Sequence, residues 1–231
     1  MKQVLSALAL VLFAAPAAAQ VDVGYPPPKS PYRDLEYKQE ATVFGGYYMA
    51  GKDPAGVAPR SGPMFGVRYE VAVGGPIALV GRVAGVSSER RVIDPTKSVA
   101  TRELGVQSWP IYLADVGMSV NLTGQRSFRG IVPVVYTGIG LASDLDKNRE
   151  EDPFHLGTTF AFSFAGGLRV VPGGRFQMRA DVGTYIYQLK YPTAYYGIAS
   201  DNTTVLAATQ AKNFWKRNLG LTLGASYLLF R

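Results

Sequence analysis

The side chains with chemical potential in this chain are ions set among apolar neighbours. Arg68, Glu70, Arg82, Asp115, Arg169, Arg179, Asp181 and Lys216 each fall on the polar phase of a segment whose other phase is apolar. Ions withdrawn from water must be paired, so these eight form the candidate site, a charge network enclosed by the fold. The turn at 74–76 (GGP) brings Arg82 near Arg68 and Glu70, and the turn at 172–175 (PGGR) gathers Arg169, Arg179 and Asp181. Such a set can serve as a gate or conduit, or it can fill the interior as a salt-bridged plug. The habit of narrow interiors to be filled by side chains speaks for the plug.

Other chemistries fail on residue type. The absence of Cys removes a thiol nucleophile, a disulfide scaffold and a zinc finger. His155 is the only His, which leaves a multi-His metal site impossible. No His stands beside a Ser on the last strands and there is no G-x-S-x-G elbow, so no catalytic residue is expected. The loop DLDKNREEDP (144–153) opens like a calcium loop with Asp144, Asp146 and Asn148. It then places Arg149 at the required glycine and His155 at the required bidentate Glu, so no metal site is assigned. Neither Gly45-Gly46 nor Gly166-Gly167 opens a helix, which removes a phosphate loop. No cofactor is implied. Lys and Arg exceed Asp and Glu by 24 to 17, a net charge of +7, but the excess is scattered without a basic stripe. That argues against a nucleic-acid partner.

The elements that must position these ions have a period of two. Phe65, Val67, Tyr69, Val71 and Val73 oppose Gly66, Arg68, Glu70 and Ala72. Tyr112, Ala114, Val116, Met118, Val120 and Leu122 oppose Asp115, Gly117, Ser119 and Asn121. The same alternation runs through 159–170, 177–186 and 216–229. Less regular segments at 40–50, 77–90 and 130–143 bring the strand number to eight, and 130–143 is apolar on both faces, so its orientation is open. Short connections at 74–76, 123–129 and 172–175 alternate with long ones at 51–61, 91–107, 144–156 and 191–213. This rhythm predicts an all-β fold, an eight-stranded antiparallel up-and-down barrel with both termini at the short-turn end, and alternation alone fits either a soluble lipocalin-like barrel or a transmembrane β-barrel.

Side-chain size decides which face is outside. An eight-stranded lumen cannot hold three Phe from one strand with equally bulky neighbours, whereas Gly, Ala, Ser and compact ion pairs fit it. The apolar phase therefore faces lipid, where each midplane charge would cost roughly 2–4 kcal/mol. Only 18% of residues are charged, below the quarter usual in soluble domains. Trp109 and Trp215 at the long-loop end, with Tyr227 and Phe230 at the other, are expected as interface aromatics.

At the N-terminus, Lys2, the apolar run 4–15 and Ala17-Ala18-Ala19 read as a signal peptide over 1–19. Residues 20–38 form a Pro-rich tail, and 39–231 the barrel. The stretches FAFSFAGGLRVVPGGRFQMRADVGTY (160–185) and NLGLTLGASYLLF (218–230) resemble the small OmpA/OmpX/OmpW-like outer-membrane β-barrel proteins of Gram-negative bacteria. That resemblance implies outer-membrane lipid as surroundings, periplasmic termini and extracellular long loops. It also implies insertion by the outer-membrane assembly machinery, which reads a final strand ending in an aromatic. Here Phe230 is that aromatic, one position earlier than the family's usual terminal Phe, and Arg231 follows it. The expected function is non-enzymatic, structural or surface-interacting through the long loops. A narrow conduit is the alternative, and a lipid-modifying enzyme comes third.

Overall fold

Alternating sequence becomes extended backbone throughout the computed structural model, which describes residues 30–35, 38–145 and 153–230. The signal peptide expected over 1–19 and the prolines Pro26–Pro28 lie outside the described residues. In chain order the strands are β1 (Tyr32–Asp34), β2 (Gln39–Met49), β3 (Gly62–Gly74), β4 (Ile77–Val86), β5 (Glu89–Ile93), β6 (Glu103–Ser108), β7 (Ile111–Asn121), β8 (Arg126–Phe128), β9 (Ile131–Ser143), β10 (Thr158–Val170), β11 (Phe176–Lys190) and β12 (Asn213–Phe230). A single 3-10 turn, Thr193–Tyr196, interrupts the last long connection.

Eight of these strands close on themselves. The pairing order β2-β3-β4-β7-β9-β10-β11-β12 returns to β2, and every pair is antiparallel. Stepping from Gln39 across facing residues passes Val71, Leu79, Met118, Thr137, Phe164, Thr184 and Leu219 and lands on Met49, ten residues further along β2. That stagger tilts the strands by roughly 40° and leaves a lumen just wide enough for side chains. Closure also removes every unpaired edge from the wall.

The wall is greasy and the lumen polar. Phe65, Val67, Leu79, Val116, Phe164 and Leu221 are exposed, and Leu223 is 68% exposed, while their sequence neighbours on the other phase are buried or half-buried. On β12 the outward apolar run from Leu219 to Leu229 spans about 26 Å along the barrel axis at ordinary strand rise and tilt. This is the cross-section of a transmembrane β-barrel. The unassigned 130–143 segment now has an orientation: Val132, Val134, Tyr136 and Ala142 face in, and Ile131, Val135, Ile139 and Leu141 face out. It carries no ion between its ends because its inward apolar side chains fill the lumen beside the ions of other strands.

Two expectations are corrected at the ends of the barrel. The strand expected over 77–90 leaves the wall at Val86, and the loop expected over 91–107 is largely a ribbon, β5 paired with β6. The break is fastened by the Ser87 amide donating to Pro63 O and the Trp109 amide to Ser88 O. The tail is not free along its length either. β1 pairs with β8 in the 123–129 connection, and the Tyr32 and Phe128 rings lie 5.3 Å apart. At the long-loop end Val57, Ile93, Phe154, Tyr191, Tyr195 and Leu206 extend the apolar cluster that begins inside the strands with Tyr48, Met64 and Ile111.

Candidate functional site

Seven of the eight ions meet inside the barrel, in an arrangement the hairpins alone do not dictate. Arg68 faces Arg82 across β3 and β4, and Arg169 faces Arg179 across β10 and β11. Like charges in directly opposed positions repel, so carboxylates from other strands must bridge them. Glu70 accepts from Arg68 Nε, from Arg179 Nη1 at 2.6 Å and from Arg169 Nη2 at 3.2 Å. Arg179 Nε also donates to Asp181 at 2.7 Å, and Arg169 donates to Glu40. Arg82 turns from Glu70 to Asp115, with Nη2 at 3.0 Å. Four guanidinium groups and four carboxylates thus neutralise one another around the lumen.

Three members of this network were not in the sequence-derived set. Glu40 sits on the inward phase of β2 and is fully enclosed. Its signal was available as the alternation Glu40, Thr42, Gly46, Tyr48, which the Gly45-Gly46 pair obscures. Tyr136 donates its hydroxyl to Asp115 and lies between two cations, 5.1 Å from Arg68 and 4.7 Å from Arg82 at the ring centre. Its ring occupies the space that a Cβ on Gly138 would need, so the glycine is what admits it. Tyr185 receives Arg82 on its face at 5.0 Å. It shares parity with Asp181, which was the available clue.

Lys216 stands apart. It is buried at the long-loop end, where its Nζ donates to Pro59 O at 2.8 Å. A buried hydroxyl pair, Tyr48 and Tyr187 at 2.9 Å, joins β2 and β11 inside the lumen.

The aromatic set divides. Trp215 is 49% exposed and Tyr227 36% exposed, both on the outer face. Trp109 is corrected: it is 1% exposed and faces inward. The Arg90 guanidinium stacks 4.0 Å from its ring, and its indole N–H donates to Asp144 at 3.0 Å. Trp109 shares parity with Ile111, Leu113 and Asp115, all buried, and its partners roof the lumen. A register shift between Leu228 and Phe230 pairs Phe230 with Gln39; its side chain lies outside the described residues. Asp144 is occupied as an acceptor for Trp109 and the Leu156 amide. Residues 146–152 of the acidic loop lie outside the described residues, and His155 is half-buried. Among the described residues no three His, Cys, Asp or Glu gather as a metal cluster.

A cavity ringed by Thr42, Arg68, Arg82, Arg179 and Asp181 offers about 10 Å³, at or below what one water molecule takes. The site is therefore a filled section of lumen.

No protein-family model matches the sequence, and no curated protein matches it. Among solved structures the chain is similar to Neisserial surface protein A at 10% identity, covering 83% of this chain and 97% of that one, with a TM-score of 0.49. It is similar to the outer membrane protein OprG from Pseudomonas aeruginosa at 10% identity, with 84% and 97% covered and a TM-score of 0.48. The N-terminal β-barrel domain of OprF from the same organism gives 11% identity, 84% and 100% covered, and a TM-score of 0.43. The closed pairing order establishes the barrel independently of these likenesses.

Proposed function

We propose that this chain is a non-enzymatic outer-membrane barrel that works by contact at its long-loop end, with that end extracellular and both termini periplasmic. The observation that carries the reading is the filled lumen: the cavity left among Arg68, Arg82, Arg179 and Asp181 is about 10 Å³, at or below what one water takes. A conduit needs a continuous wet path, so the interior is structural and the working surface lies elsewhere. The long-loop end is built as such a surface. The Val99 amide donates to Asp201 at 2.8 Å, and Arg102 Nη2 donates to Thr203 Oγ1 at 2.7 Å. The Ser200 amide donates to Thr96 O, and the Tyr191 hydroxyl to Asp53. These bonds tie separate loops into one preorganised platform, which lowers the ordering cost of binding a partner. The surrounding partner of the wall is outer-membrane lipid, and the assembly machinery inserts it.

Planar-bilayer recording of the purified chain tests this reading. Silence is expected, both for the wild type and in 1 M salt. A stable conductance that changes when Arg82 or Asp115 is replaced would establish the conduit instead. Cells carrying the chain with the 194–204 segment replaced by a Gly/Ser linker should keep a folded barrel and lose surface binding. Altered lipid A chemistry that disappears in His155→Ala would contradict the non-enzymatic assignment.

A further inference from the structure

Lys216 is a further enclosed ion of the barrel wall, 1% exposed, and among the described residues no carboxylate pairs with it. An ammonium has three N–H donors, and its one hydrogen bond here goes to a neutral carbonyl. An enclosed cation calls for an anion.

Lys216 lines a groove of about 510 Å³ beside the 50–61 loop, together with Arg60, Arg91, Asp53, Ser61 and Gly56. Arg60 is exposed and has no carboxylate partner among the described residues. Arg91 is held over Gly56, where a Cβ would overlap its guanidinium, and its only ion pair is a loose one to Glu103 at 3.5 Å. The one carboxylate of the groove is already engaged by its own loop. Asp53 accepts the Ala55 amide at 3.0 Å, the Ala58 amide at 2.6 Å and the Tyr191 hydroxyl. Three cations therefore line a groove whose single acid already accepts three hydrogen bonds from its own surroundings. On β12, Lys216 stands just beyond Leu219, the last outward apolar residue of the belt, and its neighbours Trp215 and Arg217 are exposed. This is the level at which lipid headgroups lie.

We infer that this groove binds a phosphoryl group through Lys216, Arg91 and Arg60. Guanidinium forks match the tetrahedral oxyanion with paired hydrogen bonds, and Lys216 supplies the enclosed point charge. The phosphate is that of a lipid headgroup or of a small phosphate ester in the medium. The inference deepens the reading of the long-loop end as the working surface and rests on it.

The test is a titration of the isotope-labelled full chain in maltoside micelles, free of phosphate, read by amide shifts of Gly51, Gly56 and Ser61. Inorganic phosphate is one arm, phosphatidic acid doped into the micelles the other, and sodium chloride at matched ionic strength the control. Saturable shifts at these amides are expected in at least one arm: with inorganic phosphate for a small-anion site, with phosphatidic acid alone for a headgroup site. Lys216→Met should weaken binding at least about tenfold. Arg60→Gln, at an exposed side chain that leaves the fold intact, should weaken it several-fold. Shifts that never saturate, that chloride reproduces, or that Arg60→Gln and Lys216→Met leave unchanged would overturn the inference. A groove that stays empty while cell-surface binding persists overturns this site alone. Phosphate binding without any surface-binding role overturns the platform reading alone.

Discussion

Glu70 shows why the interior is a network and not a collection of pairs. It accepts from Arg68, Arg169 and Arg179, so Glu70→Gln removes the charge that three guanidiniums share. Breaking a buried pair typically costs about 3–5 kcal/mol, and the urea midpoint of the micelle-bound barrel should fall accordingly. Asp34→Asn, which breaks the well-exposed pair with Arg126, should change stability by no more than about 1 kcal/mol. Equal effects from the two would contradict the network. Trp109 and Trp215, the only two tryptophans, give a second check. In vesicles containing brominated lipid, Trp215 fluorescence should be quenched in Trp109→Phe, and Trp109 fluorescence should persist in Trp215→Phe. At this scale the sequence made Arg68, Arg179 and Asp181 legible because they interrupt clean alternations. It misled on Trp109 because its place at a strand end outweighed its parity with Asp115, and parity governs which way a strand residue points. Same-strand pairs such as Arg68–Glu70 and Arg179–Asp181 were legible, but the partners of Arg169 were not, since Glu40 and Glu70 meet it only through barrel closure.

At the scale of elements, the long connections behave as one unit fastened by a few hydrogen bonds. Asp201 joins the β5–β6 ribbon to the 191–212 connection, and hydrogen bonds from the Thr203 hydroxyl and the Val99 amide hold its carboxyl down at about 2. Its acidity is greater in the folded loop than in the unfolded chain. The clasp is therefore intact above the ordinary carboxylate range and is lost as pH falls through about 2. Hydrogen exchange should find the Val99 amide protected at pH 5 and released on acidification toward pH 2, while strand amides of β10 and β11 stay protected. Asp201→Ala should release Val99 at every pH. Val99 protection that ignores both changes would contradict the clasp. The ribbon was not legible beforehand: ERRVI carries ions on both phases, and ELGVQS is a short, weak alternation. β1 was hidden for a related reason, because three residues next to prolines give no periodicity, and only the facing turn residues 126–128 make them a strand.

For the whole molecule, closure turns a one-dimensional alternation into an inside and an outside. Eight strands with a ten-residue stagger leave a narrow lumen, which paired ions, small residues and a limited set of larger side chains such as Tyr136 and Tyr185 fill. The bulky phase of the clearly alternating strands is thereby committed to the exterior. The sequence made the barrel legible because this sorting acts on nearly every residue of 62–74, 111–122, 159–170, 177–186 and 216–229. It left 130–143 open because β9 contributes apolar residues to both sides, and only its neighbours' registers decide between them. The lack of native Cys permits the most direct test of that sorting. Single cysteines placed at each position from 160 to 169, spin-labelled in lipid bilayers, should show oxygen accessibility with a two-residue period. Maxima are predicted at Phe160, Phe162, Phe164 and Leu168, and minima at Ala161, Ser163, Ala165 and Arg169. Maxima on the opposite phase, or high accessibility to a water-soluble nickel reagent at Phe162 and Phe164, would contradict a barrel with its ions inside and its apolar side chains in lipid.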